Sequence, residues 1–164
     1  MKINVKNLKK GIHSFDFITN QVELDLAGNE NYVNDIHIHS EIDKRENDIF
    51  VTTKFNTLGQ FVCDRCLTNF ERIVEEQFTL IYTTRKDMIS EEEEDIIQLD
   101  TVTYEIDLCR DVRDNLLLSK PMKVLCSEAC KGLCPRCGAN LNYETCNCNS
   151  FVMDPRWEAL RKLL

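Results

Sequence analysis

Apolar and polar side chains alternate through most of the first half of the chain. Residues 12–18 (Ile-His-Ser-Phe-Asp-Phe-Ile) and 21–26 (Gln-Val-Glu-Leu-Asp-Leu) show the pattern, as do parts of 33–42 and 49–55. Ile36, Ile38, Phe50 and Phe55 mark the expected buried faces there. A period of two is the signal of half-buried antiparallel strands. Over 70–82, Phe70, Val74, Phe78, Leu80 and Tyr82 fall on one parity, with Glu71, Glu75, Gln77 and Thr79 on the other. Phe70, Ile73, Val74 and Phe78 would also fit a helix over 70–78. The β-branched and aromatic content from Phe78 to Thr84 favours a strand. Two further short strands are predicted at 96–99 and 102–107.

The period then changes. Leu108, Val112 and Leu116 recur at helical spacing, Leu117 widens the stripe, and Asp107 can cap a helix over 107–119. Pro121 prevents much continuation. Cys109 on this helix reads as a small buried apolar residue. From Cys126 to Cys148 the chain turns to cysteine, glycine, asparagine and short turns, with too little apolar material to fold by burial alone. Asp154-Pro155-Arg156-Trp157 opens a last helix over 155–163, striped by Trp157, Leu160 and Leu164. The expected organisation is α+β. An antiparallel β-rich domain over 1–121 carries one helix, and a cysteine-rich, zinc-ribbon-like module over 122–164 carries the terminal helix.

Charge sharpens this division. The net charge is −8, but residues 1–119 hold 13 Lys/Arg against 24 Asp/Glu, whereas 120–164 hold 7 against 4. The acidic run Glu91–Asp95 ends a segment, 86–95, that reads as a solvated loop, with an acidic interaction segment as the alternative. Such a balance excludes a chain-wide, sequence-independent nucleic-acid binder, so any such contact should be local and C-terminal. No apolar stretch follows Met1–Lys6 as a signal would require, and none is long enough to span a membrane. The expected location is cytoplasmic.

In a reducing compartment, closely paired cysteines bind metal more often than they form disulfides. Eight of the nine fall into four close pairs: Cys63/Cys66, Cys126/Cys130, Cys134/Cys137 and Cys146/Cys148. The two-residue gap of the first and third pairs lets two sulfurs converge on one ion while turn N–H groups donate to the thiolates. Gly138, after Cys137, suits the tight turn such a knuckle makes. Tetrahedral zinc takes four ligands, so two pairs complete a site. One grouping joins Cys134 and Cys137 to Cys146 and Cys148, leaving Cys63 and Cys66 to meet Cys126 and Cys130. Its rival gathers Cys126, Cys130, Cys134 and Cys137, and sends Cys146 and Cys148 to the first knuckle. The first is favoured by the short local route from Cys-x-Cys back to the adjacent knuckle. Two Zn²⁺ ions are expected. The spacing does not match ferredoxin runs, and Leu67 and Gly138 stand where haem attachment needs histidine.

Other chemistry is sparse. His13, His37 and His39 lie on predicted strands as polar surface positions, with His37 and His39 on one face. No phosphate-binding loop, dinucleotide fingerprint, nucleophile elbow or His-Glu-x-x-His motif occurs. Nothing in the sequence argues for an enzyme.

The assembled residues resemble the YceD-like family of large ribosomal RNA subunit accumulation proteins over nearly the whole chain. The resemblance rests on Cys63-Asp-Arg-Cys66-Leu67 followed by Phe70, then Ile106-Asp107-Leu108 before the helix leading to Pro121. Cys126 and the run Cys130-Lys-Gly-Leu-Cys134-Pro-Arg-Cys137-Gly-Ala-Asn-Leu-Asn142 follow, then Cys146-x-Cys148 and Asp154-Pro155-Arg156-Trp157. It implies a bacterial or organellar factor for processing or assembly of large-subunit ribosomal RNA. Some members lack the final cysteine cluster, which implies that the two sites are separable. The partners implied are that RNA or its precursor particle, and possible contact with a basic ribosomal protein. Lys120, Lys123, Lys131, Arg136, Arg156, Arg161 and Lys162 are then the candidate RNA contacts at the metal-bound end, and the acidic β-domain would face the protein. The alternatives are a zinc-ribbon nuclease or RNA-modifying enzyme, and a thiol-based redox or metal sensor.

Overall fold

The computed structural model describes residues 1–85, 95–99, 102 and 104–148. In chain order these form β1 (Lys2–Asn4), β2 (Gly11–Thr19), β3 (Ile36–Lys44), β4 (Asp48–Val62), β5 (Asn69–Thr83), β6 (Ile96–Gln98), β7 (Glu105–Asp107) and α1 (Cys109–Leu118). β2 to β6 make one sheet in sequence order, antiparallel except for the parallel pair β5 and β6, while β1 and β7 pair separately. The α+β class expected from the pattern is the class observed.

Register follows from parity, because a slip of one residue would turn every apolar side chain to water. Ile38 pairs with Phe55, Ile42 with Val51, and Val51 with Leu80, all on an inner face. These residues are buried. His37, His39, Glu41, Lys54 and Glu75 lie on the opposite, exposed face. The inner face is closed by Val5, Leu24, Leu26 and Tyr32, and by the α1 stripe Leu108, Val112 and Leu116. Lys44 fixes the N-terminal segment there, its Nζ donating to the carbonyls of Val5 at 2.7 Å and Leu8 at 2.8 Å.

β4 and β5 pair from end to end, whereas β3 reaches only as far as Asn56 on β4. Residues 57–62 and 69–74 therefore project as a two-stranded extension. The loop before β3 closes its β4 edge. Gln60 N–H donates to the Asn31 carbonyl at 2.8 Å, and the Asn31 and Asn34 amides donate to the carbonyls of Gln60 and Leu58 at 2.7 Å each. Gly59 is required here, since a Cβ would stand 2.6 Å from the Phe61 ring. That ring meets Tyr32 and Phe70 at centroid distances of 6.1 Å each. The extension ends at Cys63.

Several sequence expectations are corrected. Residues 21–25 form turns rather than a strand over 21–26. The Asn20 side chain accepts the N–H groups of Val22 and Glu23, Leu26 N–H bonds to Gln21 O at 2.7 Å, and Asp25 is left-handed at φ 56°. Local asparagine capping outcompetes the ladder. Phe50 lies on the outer face, half-buried under the Arg45 guanidinium at 4.1 Å. The final strand begins at Glu105, after Tyr104 at φ 52°. In α1 the N-cap is Leu108, with Asp107 one residue earlier accepting the Cys109 N–H at 3.0 Å. Leu117 is 44% exposed and does not widen the buried stripe. Cys109 is half-buried against the core edge, where the Met1 amino group meets its Sγ. The 86–94 part of the acidic loop and the helix over 155–163, with Trp157, Leu160 and Leu164, lie outside the described residues.

Leu116 is fully buried and Leu118 is 80% exposed on the same helix. Leu116→Ala should therefore cost about 2–5 kcal/mol in urea unfolding, and Leu118→Ala less than about 0.5 kcal/mol.

Candidate metal centres

The first quartet forms where the β4–β5 extension ends. Cys63-Asp64-Arg65-Cys66 is the turn between the two strands, closed by Cys63 N–H to Thr68 O at 3.0 Å and Leu67 N–H to Cys63 O at 2.9 Å. The segment carrying Cys126 and Cys130 is held against this turn by backbone and side chain together. Asp64 N–H donates to Val124 O at 2.9 Å, and Val124 N–H returns to the Asp64 carboxylate at 2.6 Å. The Arg65 guanidinium donates to the carbonyls of Glu128 at 3.2 Å and Cys130 at 2.9 Å. Leu133 N–H donates to Arg65 O at 3.2 Å, and Gly132 passes so close that a Cβ would lie 3.1 Å from that oxygen. Cys63, Cys66 and Cys130 are buried beside Phe70, Leu125 and Leu133.

The second quartet is local. Cys134-Pro135-Arg136-Cys137 repeats the turn, with Cys134 N–H to Ala139 O at 2.8 Å and Gly138 N–H to Cys134 O at 2.9 Å. Gly138 takes the left-handed conformation, φ 74°, for which the sequence recommends a glycine. Residues 140–145 bring Cys146 and Cys148 back to it. Asn140 and Asn142 brace the return. The Asn140 amide donates to Thr68 Oγ1 at 3.2 Å, and Asn142 accepts Lys131 N–H at 2.8 Å while donating to Cys130 Sγ at 3.4 Å. The two quartets are thus linked through polar side chains.

Within each quartet all four Sγ atoms lie within 4.8 Å of one another, as Cys63/Cys66/Cys126/Cys130 and Cys134/Cys137/Cys146/Cys148. Tetrahedral thiolates about 2.3 Å from a zinc-sized ion stand about 3.8 Å apart. In the first quartet Cys63–Cys130 is 3.9 Å and Cys66–Cys126 is 3.7 Å. In the second, Cys137–Cys146 is 3.5 Å and Cys134–Cys146 is 3.3 Å. The residues present therefore fit a metal ion at each position, and both groups suggest metal binding.

Electrostatics point the same way. Backbone N–H groups, that of Cys126 foremost, bring the Cys63 thiol down to about 6, and those of Cys137 and Arg136 do the same for Cys134. Desolvation, followed by the neighbouring sulfurs, pushes Cys126 up to about 12. Neighbouring Cys146 and Cys137 push Cys148 up to about 12. Within each quartet one thiol is shifted toward ionisation and another away from it, a conflict that a cation among the sulfurs would relieve.

The sequence assigned no bracing role to Asp64, Thr68, Asn140 or Asn142, because a hydrogen bond to a distant segment leaves no spacing signal. Arg65 ties down the carbonyls of the opposing loop through its guanidinium. Of the candidate RNA contacts, Lys120, Lys123, Lys131 and Arg136 are exposed. Arg156, Arg161 and Lys162 lie outside the described residues. His37 and His39 sit on the outer sheet face, His39 Nδ1 lying 2.7 Å from Asp16.

A family profile described as Large ribosomal RNA subunit accumulation protein YceD matches residues 51–164, a span that contains all eight clustered cysteines. The chain is 36% identical over 70 residues to an Arabidopsis thaliana protein named Large ribosomal RNA subunit accumulation protein YCED homolog 1, chloroplastic, covering 43% of the chain and 22% of that relative. A Zea mays protein of the same name is 38% identical over 56 residues, covering 34% of the chain and 19% of the relative. The chain thus spans about a fifth of the length of these two relatives. No solved structure matches the chain significantly.

Because the quartets use separate ligands, Cys130→Ser and Cys137→Ser should each lower the bound metal by one equivalent per chain, measured by elemental analysis of purified protein. Loss of both equivalents from Cys137→Ser would show that the sites are not independent.

Proposed function

The chain belongs to the YceD family of large ribosomal RNA subunit accumulation proteins, and from that premise we propose a zinc-stabilised binding factor rather than an enzyme. Its task is the accumulation, processing or assembly of large-subunit ribosomal RNA and the large subunit. The observation carrying this reading is that the family-matched span holds both cysteine quartets together with the residues that brace them.

Zinc is the proposed ion at both positions. Paired knuckles with converging backbone N–H groups suit it, and a closed set of four thiolates leaves no position for a reacting water. Such a site supplies folding energy, on the order of 10–16 kcal/mol in small zinc modules. The quartets are therefore proposed as scaffolding, and the working surface is what they present. Exposed Lys120, Lys123, Lys131 and Arg136, with Arg156, Arg161 and Lys162 further along the chain, form the proposed contact with precursor RNA. The acidic sheet domain is left to face a basic protein of the particle. Among the described residues no helix is long and apolar enough to cross a membrane. The proposed compartment is the cytoplasm, where reducing conditions keep thiolates available to metal.

A tagged full-length chain recovered from growing cells should carry two zinc ions and enrich large-subunit ribosomal RNA and proteins. Recovery of no large-subunit component would overturn this function, and magnesium-dependent cleavage of precursor RNA by the purified chain would favour the nuclease reading instead.

A further inference from the structure

The two knuckles are built alike and differ at one telling residue. In each, the first cysteine's N–H bonds to the carbonyl five residues on, and its own carbonyl accepts from the N–H four residues on. That closure puts the fourth-on residue in the left-handed region, Gly138 at φ 74° and Leu67 at φ 56°. Glycine adopts this conformation without steric cost, whereas a leucine Cβ crowds the following carbonyl oxygen. The first knuckle therefore carries strain that the second avoids. Leu67 returns nothing to the interior in exchange. Its side chain is 65% exposed and stands outside the cluster of Phe70, Leu125 and Leu133 around the first quartet.

Leu67 has exposed apolar company. Val62, the residue before Cys63, is 52% exposed. Leu58 and Ile73, directly opposed on the outer face of the extension, are 38% and 69% exposed. Gln60 pairs with Glu71 between these positions, and Asn56 with Glu75 just beyond. Scattered apolar residues on a surface need no explanation, but a strained one does.

We propose that Leu67 anchors a docking surface, continued by Val62, Leu58 and Ile73, for a protein segment presenting apolar side chains among lysines and arginines. The choice of occupant follows from charge. Glu71 and Glu75 stand on this face, and residues 1–119 carry 24 acidic groups against 13 basic ones. Such a field attracts Lys and Arg and repels phosphate, while a second copy would bring the same carboxylates against each other. Lys123 and Lys131, on the segment hydrogen-bonded to the knuckle, remain with the surface assigned to RNA. The docking surface rests on the large-subunit reading for the particle to be tested.

Leu67→Asn and Leu67→Gly, made in the full chain, both accept a left-handed backbone. Their melting temperature should equal the parent's or rise by up to about 4 °C. Metal content should be unchanged, and affinity for purified large-subunit precursor particles should fall about tenfold or more. Stability held or raised with binding lost is the signature of a residue kept for a partner. A lower melting temperature with loss of metal would make Leu67 a structural residue, and unchanged binding would remove the docking role outright. A photoreactive side chain installed at position 73 should crosslink to a Lys/Arg-rich protein of the particle. Crosslinks to RNA or to another copy of this chain would overturn the proposed occupant. A parent chain that ignores the particles overturns the assembly reading and this inference with it, whereas variants that bind like the parent overturn this inference alone.

Discussion

Four sulfurs within a few ångströms of one another cannot all be ionised unless positive charge lies among them, and the arrangement of residues 124–148 on the hairpin end depends on this constraint. The first quartet draws two ligands from the hairpin end and two from a segment roughly sixty residues later. The hydrogen bonds that bring these pieces together include a reciprocal Asp64–Val124 pair and an arginine wrapped over two carbonyls. Several are near solvent, where each is worth on the order of 1 kcal/mol. They orient the sulfurs, and a bound cation would supply the large term. The second quartet inherits its position from the first, because Asn140 and Asn142 fasten it to Thr68 and Cys130.

The sheet provides what the quartets need from the remainder of the chain, a fixed end on which to build. Phe70 belongs to both hydrophobic clusters, touching Phe61 on one side and the buried cysteines on the other. The aromatic row Tyr32–Phe61–Phe70, seated over Gly59, thus makes the core and the first knuckle one packed body. Substitution deep in the sheet and distortion of the knuckle are mechanically coupled through this row. Such coupling suits a scaffold whose function is to present a surface.

Legibility in the sequence followed the range of the interactions involved. The stretches 49–55 of β4 and 70–82 of β5 were readable because one inner face favours alternation, whereas 56–62 of β4, which carries the extension, was not read as strand. The α1 stripe was readable at Leu108, Val112 and Leu116, but Leu117 was not, since one residue at the edge of a helical face is decided by what packs there. Residues 21–26 alternate just as a strand does, yet the Asn20 side chain captures two N–H groups and turns the chain. Periodicity cannot see that competition. Cysteine spacing pointed to the two quartets because ligand geometry is local, within pairs, and only four pairs had to be matched. The polar braces around them join residues far apart in sequence and have no pattern of their own. The strain at Leu67 became visible only beside its glycine counterpart.

The distance along the chain between the halves of the first quartet has a consequence for how the protein is made. A chain emerging from its N-terminus can pair β2, β3, β4 and β5 well before Cys126 and Cys130 have been synthesised. During that interval Cys63 and Cys66 form half a site at the tip of a finished hairpin, without the Cys126 N–H group that does most to lower the Cys63 thiol. The knuckle is therefore built early and becomes a complete site only once Cys130 has been made, with the second quartet following at Cys148.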